Sequence, residues 1–299
     1  MRVNSSSQHI ADSPESGALQ GERRIGIIYM EESGRGLTHP FFSLILDAFK
    51  KEAESRGCEI TFLNTGIPGS GMNWSDYCRL SGIDGVCVVC GNFDSQDMKD
   101  LASSGLPCVT IDHMYKRVCA VLSDNETGVR ELVEYAISKG HRRIAFIHGH
   151  NNSIVTRARI SQFRNTMSVH SLPVPPEYIQ DGKYDDIKLT RKLVTNLLTL
   201  PERPTFILLP DDISYLGAQD AARECSLSIP GDISFAGYDG IPLTQALTPK
   251  LTTIRQDTDQ IGRLAATRII DLIDHPSTAT RMPAILPVRF MEGGTVGTV

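Results

Sequence analysis

The stretch "CAVLSDNETGVRELVEYAISKGHRRIAFIHG", residues 119–149, decides the fold. It opens on a short apolar run, continues as an amphipathic helical stretch that stops at Gly140, and closes on the apolar run within "RRIAFIHG". Strand, helix and strand within about 30 residues are the alternation of an open parallel α/β sheet with right-handed crossovers, and this stretch starts a second series of that kind.

The same alternation extends in both directions. Downstream, "VTRARISQFRNTMSVH" (155–170) reads as a helix, "EYIQDG" (177–182) as a strand and "IKLTRKLVTNLLTL" (187–200) as a helix. "PTFILLPDD" (204–212), "ISYLGAQDAAREC" (213–225) and "DISFAGYDG" (232–240) continue as strand, helix and strand. Upstream, the strands are "RIGIIYM" (24–30), "CEITFLN" (58–64), "GVCVVCG" (85–91) and "PCVTID" (107–112). Helices at 40–57, 74–81 and 94–105 separate them, with Pro40 suited to a first turn, Gly57 to an end and Asp94 to an N-cap. The pattern predicts two open parallel α/β sheets, one on each side of residue 123. Ligands of such sheets bind beyond the carboxyl ends of the strands. That rule selects the loop 31–39, Asp112, Asp211 and Asp239.

The totals exclude other classes. A chain of 299 residues is long enough for two domains of ordinary size or one large one, and 40% hydrophobic and 22% charged residues suit a soluble globular protein. A formal charge of −5 argues against broad affinity for nucleic acid. No apolar run approaches the roughly 20 residues of a membrane span, and residues 1–22 lack the apolar segment of a signal peptide. The expected location is therefore cytoplasmic. Seven scattered cysteines suit reduced thiols, and "CVVC" (87–90) lies in a strand, where residues three apart face opposite sides rather than forming a redox pair. His141, His148 and His150 have neither helical nor zinc-finger ligand spacing. No phosphate-binding glycine motif, G-x-S-x-G elbow or HExxH occurs, so neither a cofactor nor an enzymatic activity is expected.

Eight motifs in order resemble the LacI/GalR family of bacterial transcription regulators: "HPFF", "DGV", "PCVTID", "GHRRIAFIHG", "TRARISQF", "PDDISYLGAQDAAREC", "IPGDISFAGYDGIPL" and "TPKLTTIRQD". The resemblance runs from about residue 24 to 299 and is to the effector-binding core, a periplasmic-binding-protein-like fold. It implies two Rossmann-like lobes with parallel sheets, three interlobe crossings and an effector cleft between the lobes. The first lobe would comprise 24–122 plus 255–276, and the second 123–254 plus 283–299. The crossings would fall near Leu122, near Ile254 and within residues 276–283.

In "TRARISQF", Arg157 and Arg159 lie about 200° apart on a helix and cannot share a face. The resemblance matches Arg159 to the arginine that grips effector hydroxyls and Arg157 to a more variable position. It matches Asp211 to a strand-end ligand preceding a helix-opening Asp212, Asp239 to the aspartate of a G-[YF]-D-D motif, and Asp112 to a sugar-binding aspartate. Gln256 would sit at the second crossing. Of Phe41 and Phe42, one is expected in the core and the other as an apolar wall for a sugar ring. Two departures stand out: residues 31–38 make a longer loop than usual, and Gln162 replaces a glycine. Gly240 likewise stands where the motif has a second aspartate.

Three carboxylates and one arginine would repel a phosphate or dicarboxylate, whereas hydroxyls can both donate and accept. The expected effector is a sugar, and the expected function is the effector-binding and dimerisation core of a LacI/GalR-type regulator. The alternative is a stand-alone solute-binding protein for a sugar transporter. The resemblance implies a homodimer with no membrane partner. "RVNSSSQHI" (2–10) resembles the start of the family's hinge helix, so residues 1–23 are expected to be a disordered hinge remnant. Operator DNA would be read only through a helix-turn-helix domain that these 299 residues do not contain.

Overall fold

The computed structural model describes residues 23–30, 33–64, 66, 71–150 and 153–299. The leader expected to be disordered lies outside them, except for Arg23, which opens the first strand.

The first half alternates β1 (Arg23–Tyr29), α1 (Phe42–Ser55), β2 (Cys58–Phe62), α2 (Trp74–Leu80), β3 (Gly85–Cys90), α3 (Gln96–Ser103), β4 (Cys108–Ile111) and β5 (Cys119–Ser123). Next come α4 (Asn125–Ser138), β6 (Ile144–His148), α5 (Ile154–Val169), β7 (Ile179–Asp181), α6 (Ile187–Leu198), β8 (Phe206–Leu208), α7 (Ser214–Glu224) and β9 (Ser234–Ala236). The chain ends with α8 (Pro242–Gln245), β10 (Thr253–Arg255), α9 (Thr258–Asp274), β11 (Ala284–Leu286) and β12 (Arg289–Met291).

Both main sheets are parallel. The first has the order β11-β5-β4-β3-β1-β2 and the second β7-β6-β8-β9, while β10 and β12 form an antiparallel ribbon. In each main sheet the strand order reverses beside the first strand, which is the switch point where doubly wound sheets open a crevice. Central strands such as β3 are continuously apolar because helices cover both their faces. Cys87 packs with Ile25, Val109 and Val121 on one side of the first sheet, and Val86 and Val88 pack with Trp74 and Met98 on the other. The second sheet likewise separates two apolar layers.

Helix α9 returns late in the chain to pack on α1 and on the first sheet. The approach is close: a Cβ at Gly262 would lie 2.3 Å from the Ile45 carbonyl oxygen and 2.7 Å from the Phe49 nitrogen. Gly262→Ala must push two helix backbones apart. We expect it to lower stability by about 1–3 kcal/mol, the usual penalty of overpacking, read as a fall in the denaturant midpoint.

Three sequence expectations need correction. The cap of α3 is Ser95, which accepts from the Met98 N–H; Asp94 lies one residue too early to reach it. The segment 283–299 is not all in the second lobe, because β11 pairs in parallel with β5 in the first sheet. The third passage between sheets therefore falls at residues 287–288 rather than within 276–283. Two passages touch there, the Asp124 N–H donating to the Leu286 carbonyl at 2.9 Å.

Candidate functional site

A cleft of about 580 Å³ opens at the carboxyl ends of the strands, between loops of both sheets. That is an ordinary volume for a small-molecule site. Arg159, Asp112, Asp211, Asp239, Phe41, Phe42 and Gln256 all line it.

Arg159 stands in the second turn of α5, whose N-cap Ser153 follows β6 and accepts from Thr156 N–H. It is only 5% exposed. Its Nε donates to Asn125 Oδ1 at 2.7 Å and an Nη to the Pro210 carbonyl at 3.0 Å, with the guanidinium 3.5 Å from the centre of the Tyr238 ring. Burial opposes its charge, but Tyr184, Tyr238, Asp239 and Asp112 more than compensate. Arg157 is exposed and does not line the cleft, although its charge acts on His113, which does. Gln162 turns along the helix, donating to the Thr166 hydroxyl at 3.1 Å, and does not line the cleft either.

The aspartates divide by role. Burial, partly offset by Arg159, pushes Asp112 up to about 6. Burial also raises Asp239 well above the ordinary carboxylate range, and Gln256 Nε2 donates to its Oδ1 at 2.8 Å. Asp211 is raised by burial as well, yet both its oxygens are engaged, accepting N–H groups of Asp185 at 2.6 Å and Ser214 at 2.7 Å. It is therefore Asp211 that serves the first turn of α7. The neighbouring Asp212, expected to open that helix, instead accepts from Ile241 N–H and from the Thr244 and Thr253 hydroxyls, away from the cleft.

Phe41 is buried in the first lobe's core and Phe42 is half-buried at the cleft. Gly240 has φ of +69° and its Cβ would lie 2.6 Å from Arg255 Cα, which accounts for the missing second aspartate. Cys90 lines the cleft at the end of β3 while Cys87 is in the core, so the "CVVC" pair is divided between the two. His141 bonds Thr205 and Gly297, and among the described residues no His, Cys, Asp or Glu group could hold a metal ion. No helix among them is long and apolar enough to cross a membrane.

The sequence reading missed several cleft residues, all on loops after strands. Phe93 stacks on His113 with ring centres 4.3 Å apart and planes parallel within 1°. Tyr184 bonds the Thr156 hydroxyl at 2.7 Å. Asp185, on the β7–α6 loop, pairs with Arg35 from the first lobe's loop, and His39 Nε2 lies 3.9 Å from the same carboxylate. That ion pair spans the mouth of the cleft. Asp112, Asp185 and Asp239 adopt positive φ (55°, 58° and 115°), a cost that clusters at functional sites.

The family model described as "Periplasmic binding protein-like domain" matches residues 133–296. The chain belongs to that family. Its relatives include HTH-type transcriptional repressors, and its structural neighbours include LacI family regulators. It is 28% identical to the HTH-type transcriptional repressor PurR of Vibrio parahaemolyticus over 89% of this chain and 80% of that one. Identity to the probable HTH-type transcriptional repressor ExuR of Bacillus subtilis is 27%, over 87% and 77%. A LacI family transcriptional regulator from Enterococcus faecium with bound ribose superposes with a TM-score of 0.80 at 23% identity, covering 93% of this chain and 100% of that one.

Proposed function

We propose that the cleft binds a sugar and that binding shifts the balance of open and closed lobe arrangements in a homodimeric regulator. The observation that carries this reading is Arg159, a buried guanidinium held by Asn125 and Pro210 with Asp112 and Asp239 beside it. A hydroxyl can accept from such a guanidinium while donating to a carboxylate, so neighbouring hydroxyls on a ring satisfy both. Phe42 and Phe93 add apolar walls suited to a ring face. The ribose-bound neighbour and the repressor relatives support the same reading. Operator DNA would be contacted through a helix-turn-helix domain like that named in the relatives, with the ligand acting by its different affinity for two lobe arrangements.

A thermal-shift screen against mono- and disaccharides tests it, since a ligand of the folded state raises stability by RT ln(1 + [L]/Kd). A concentration-dependent shift with one stereochemical series is expected. Shifts with nucleobases or phosphosugars alone would refute it. Sedimentation should give a dimer.

A further inference from the structure

The deep cleft is rich in acceptors. Among the described residues lining it, the shielded side-chain atoms that lack a hydrogen-bond partner are Asp112 Oδ1, Asp185 Oδ1 and Gln256 Oε1. Gln256 is 3% exposed and the Asp185 side chain 3%. Every one of these atoms needs a donor. Some nearby donors are already committed: Gln256 Nε2 serves Asp239, the Tyr184 hydroxyl is engaged with Thr156, and Arg159 gives its Nε to Asn125 and one Nη hydrogen to Pro210, its other N–H groups remaining for ligand oxygens. Carboxyl groups also outnumber guanidinium groups. Asp112, Asp185, Asp211 and Asp239 face two arginines, Arg159 inside and Arg35 at the mouth. Lys183 and Lys188 line the same cleft but are exposed, on the loop and first turn after β7.

A hydroxyl brings one donor with two acceptor lone pairs, whereas an ammonium brings three donors and no acceptor. We infer that the effector is a sugar bearing an ammonium group, which the cleft prefers over the neutral sugar of the same stereochemistry because its unpartnered deep atoms are all acceptors. The inference rests on the sugar reading above and narrows its class.

The test compares 2-amino-2-deoxyhexoses with the parent hexoses and the corresponding hexuronates, in the gluco, galacto and manno series, by thermal shift and calorimetric titration at pH 7. Within the series that binds, the amino sugar should bind about tenfold tighter than the neutral hexose, the scale of one charge-assisted hydrogen bond, and the uronate weakest. Asp112→Asn keeps the size and tolerates the left-handed backbone. It should reduce the ratio of amino-sugar to neutral-hexose affinity at least threefold, and an unchanged ratio would overturn the inference. Equal or tighter binding of the neutral hexose would overturn the inference and leave the sugar reading standing. Tightest binding of the uronate would overturn it in favour of the rim lysines. No response to any member would overturn both readings.

Discussion

Asp212→Ala is expected to lower stability at pH 6 by about 3–5 kcal/mol, among the largest effects of any single substitution. The carboxyl group is wholly buried and ties three segments together: the Ile241 N–H at 2.9 Å and the Thr244 and Thr253 hydroxyls at 2.8 and 2.5 Å. Each hydroxyl has a second acceptor, Thr244 at the Ile241 carbonyl and Thr253 at that of Ile254. The Ile241 N–H is left with none among the bonds described. An orphaned buried donor costs about 1–3 kcal/mol by itself, and the lost packing against Gly237, where a Cβ would come within 2.4 Å of Asp212 Oδ1, adds to it. Chemical denaturation reads the loss directly. A change below about 1 kcal/mol would show that the three segments hold without their common acceptor.

The same residue gives the protein a pH dependence of known sign. Burial pushes Asp212 up to about 7, above its value in the unfolded chain. Between about pH 4 and 7 the folded state therefore keeps a proton that the unfolded state has lost, and this contribution to stability disappears as pH rises through about 7. His113 and His141, lowered by burial, act with the opposite sign below about pH 6.5. Comparing wild type with Asp212→Ala cancels the histidines. The stability difference between the two should shrink from pH 5 and level off above about pH 7.

What the sequence disclosed follows from burial. Strands covered on both faces, such as β3 and β6, are continuous apolar runs between turn signals, so their number and order could be read directly. β11 could not: its three residues sit at a sheet edge with Ile285 65% exposed, and only pairing with β5 makes them a strand. The cleft shows the same division. Strand-end positions named Asp112, Asp211 and Asp239 because the fold places every such end at one crevice. Asp185, Tyr184 and Phe93 reach that crevice from loops whose path is set by long-range contacts, such as the Asp185–Asp211 and Tyr184–Thr156 bonds, which leave no periodic trace. No local pattern separates Asp211 from Asp212 either. Adjacent side chains at the end of β8 diverge, one into the cleft and one beneath it.

The divergence of adjacent positions also underlies the sharpest functional expectation, which concerns "TRAR". Arg159→Ala should weaken effector binding about 100-fold or more, while Arg157→Ala changes it by less than about threefold. The estimate comes from charge-assisted hydrogen bonds at about 1.5–3 kcal/mol each, with two oriented N–H groups able to meet neighbouring ligand oxygens. Arg159 is the buried cation beside Asp112 and Asp239, fixed by Asn125, Pro210 and the face of Tyr238. Its loss also leaves those carboxylates without their balancing charge. Arg157, two residues away, projects to the exposed side of the same helix. Arg159→Lys separates charge from shape: the ammonium keeps the positive charge but cannot reproduce the planar fork, so it should recover only part of the lost affinity. Titration calorimetry on the three variants, with the sugar identified by the screen, decides the matter. Equal losses at positions 157 and 159 would mean that α5 presents a diffuse basic face to the ligand, and Arg159 would lose its place at the centre of the site.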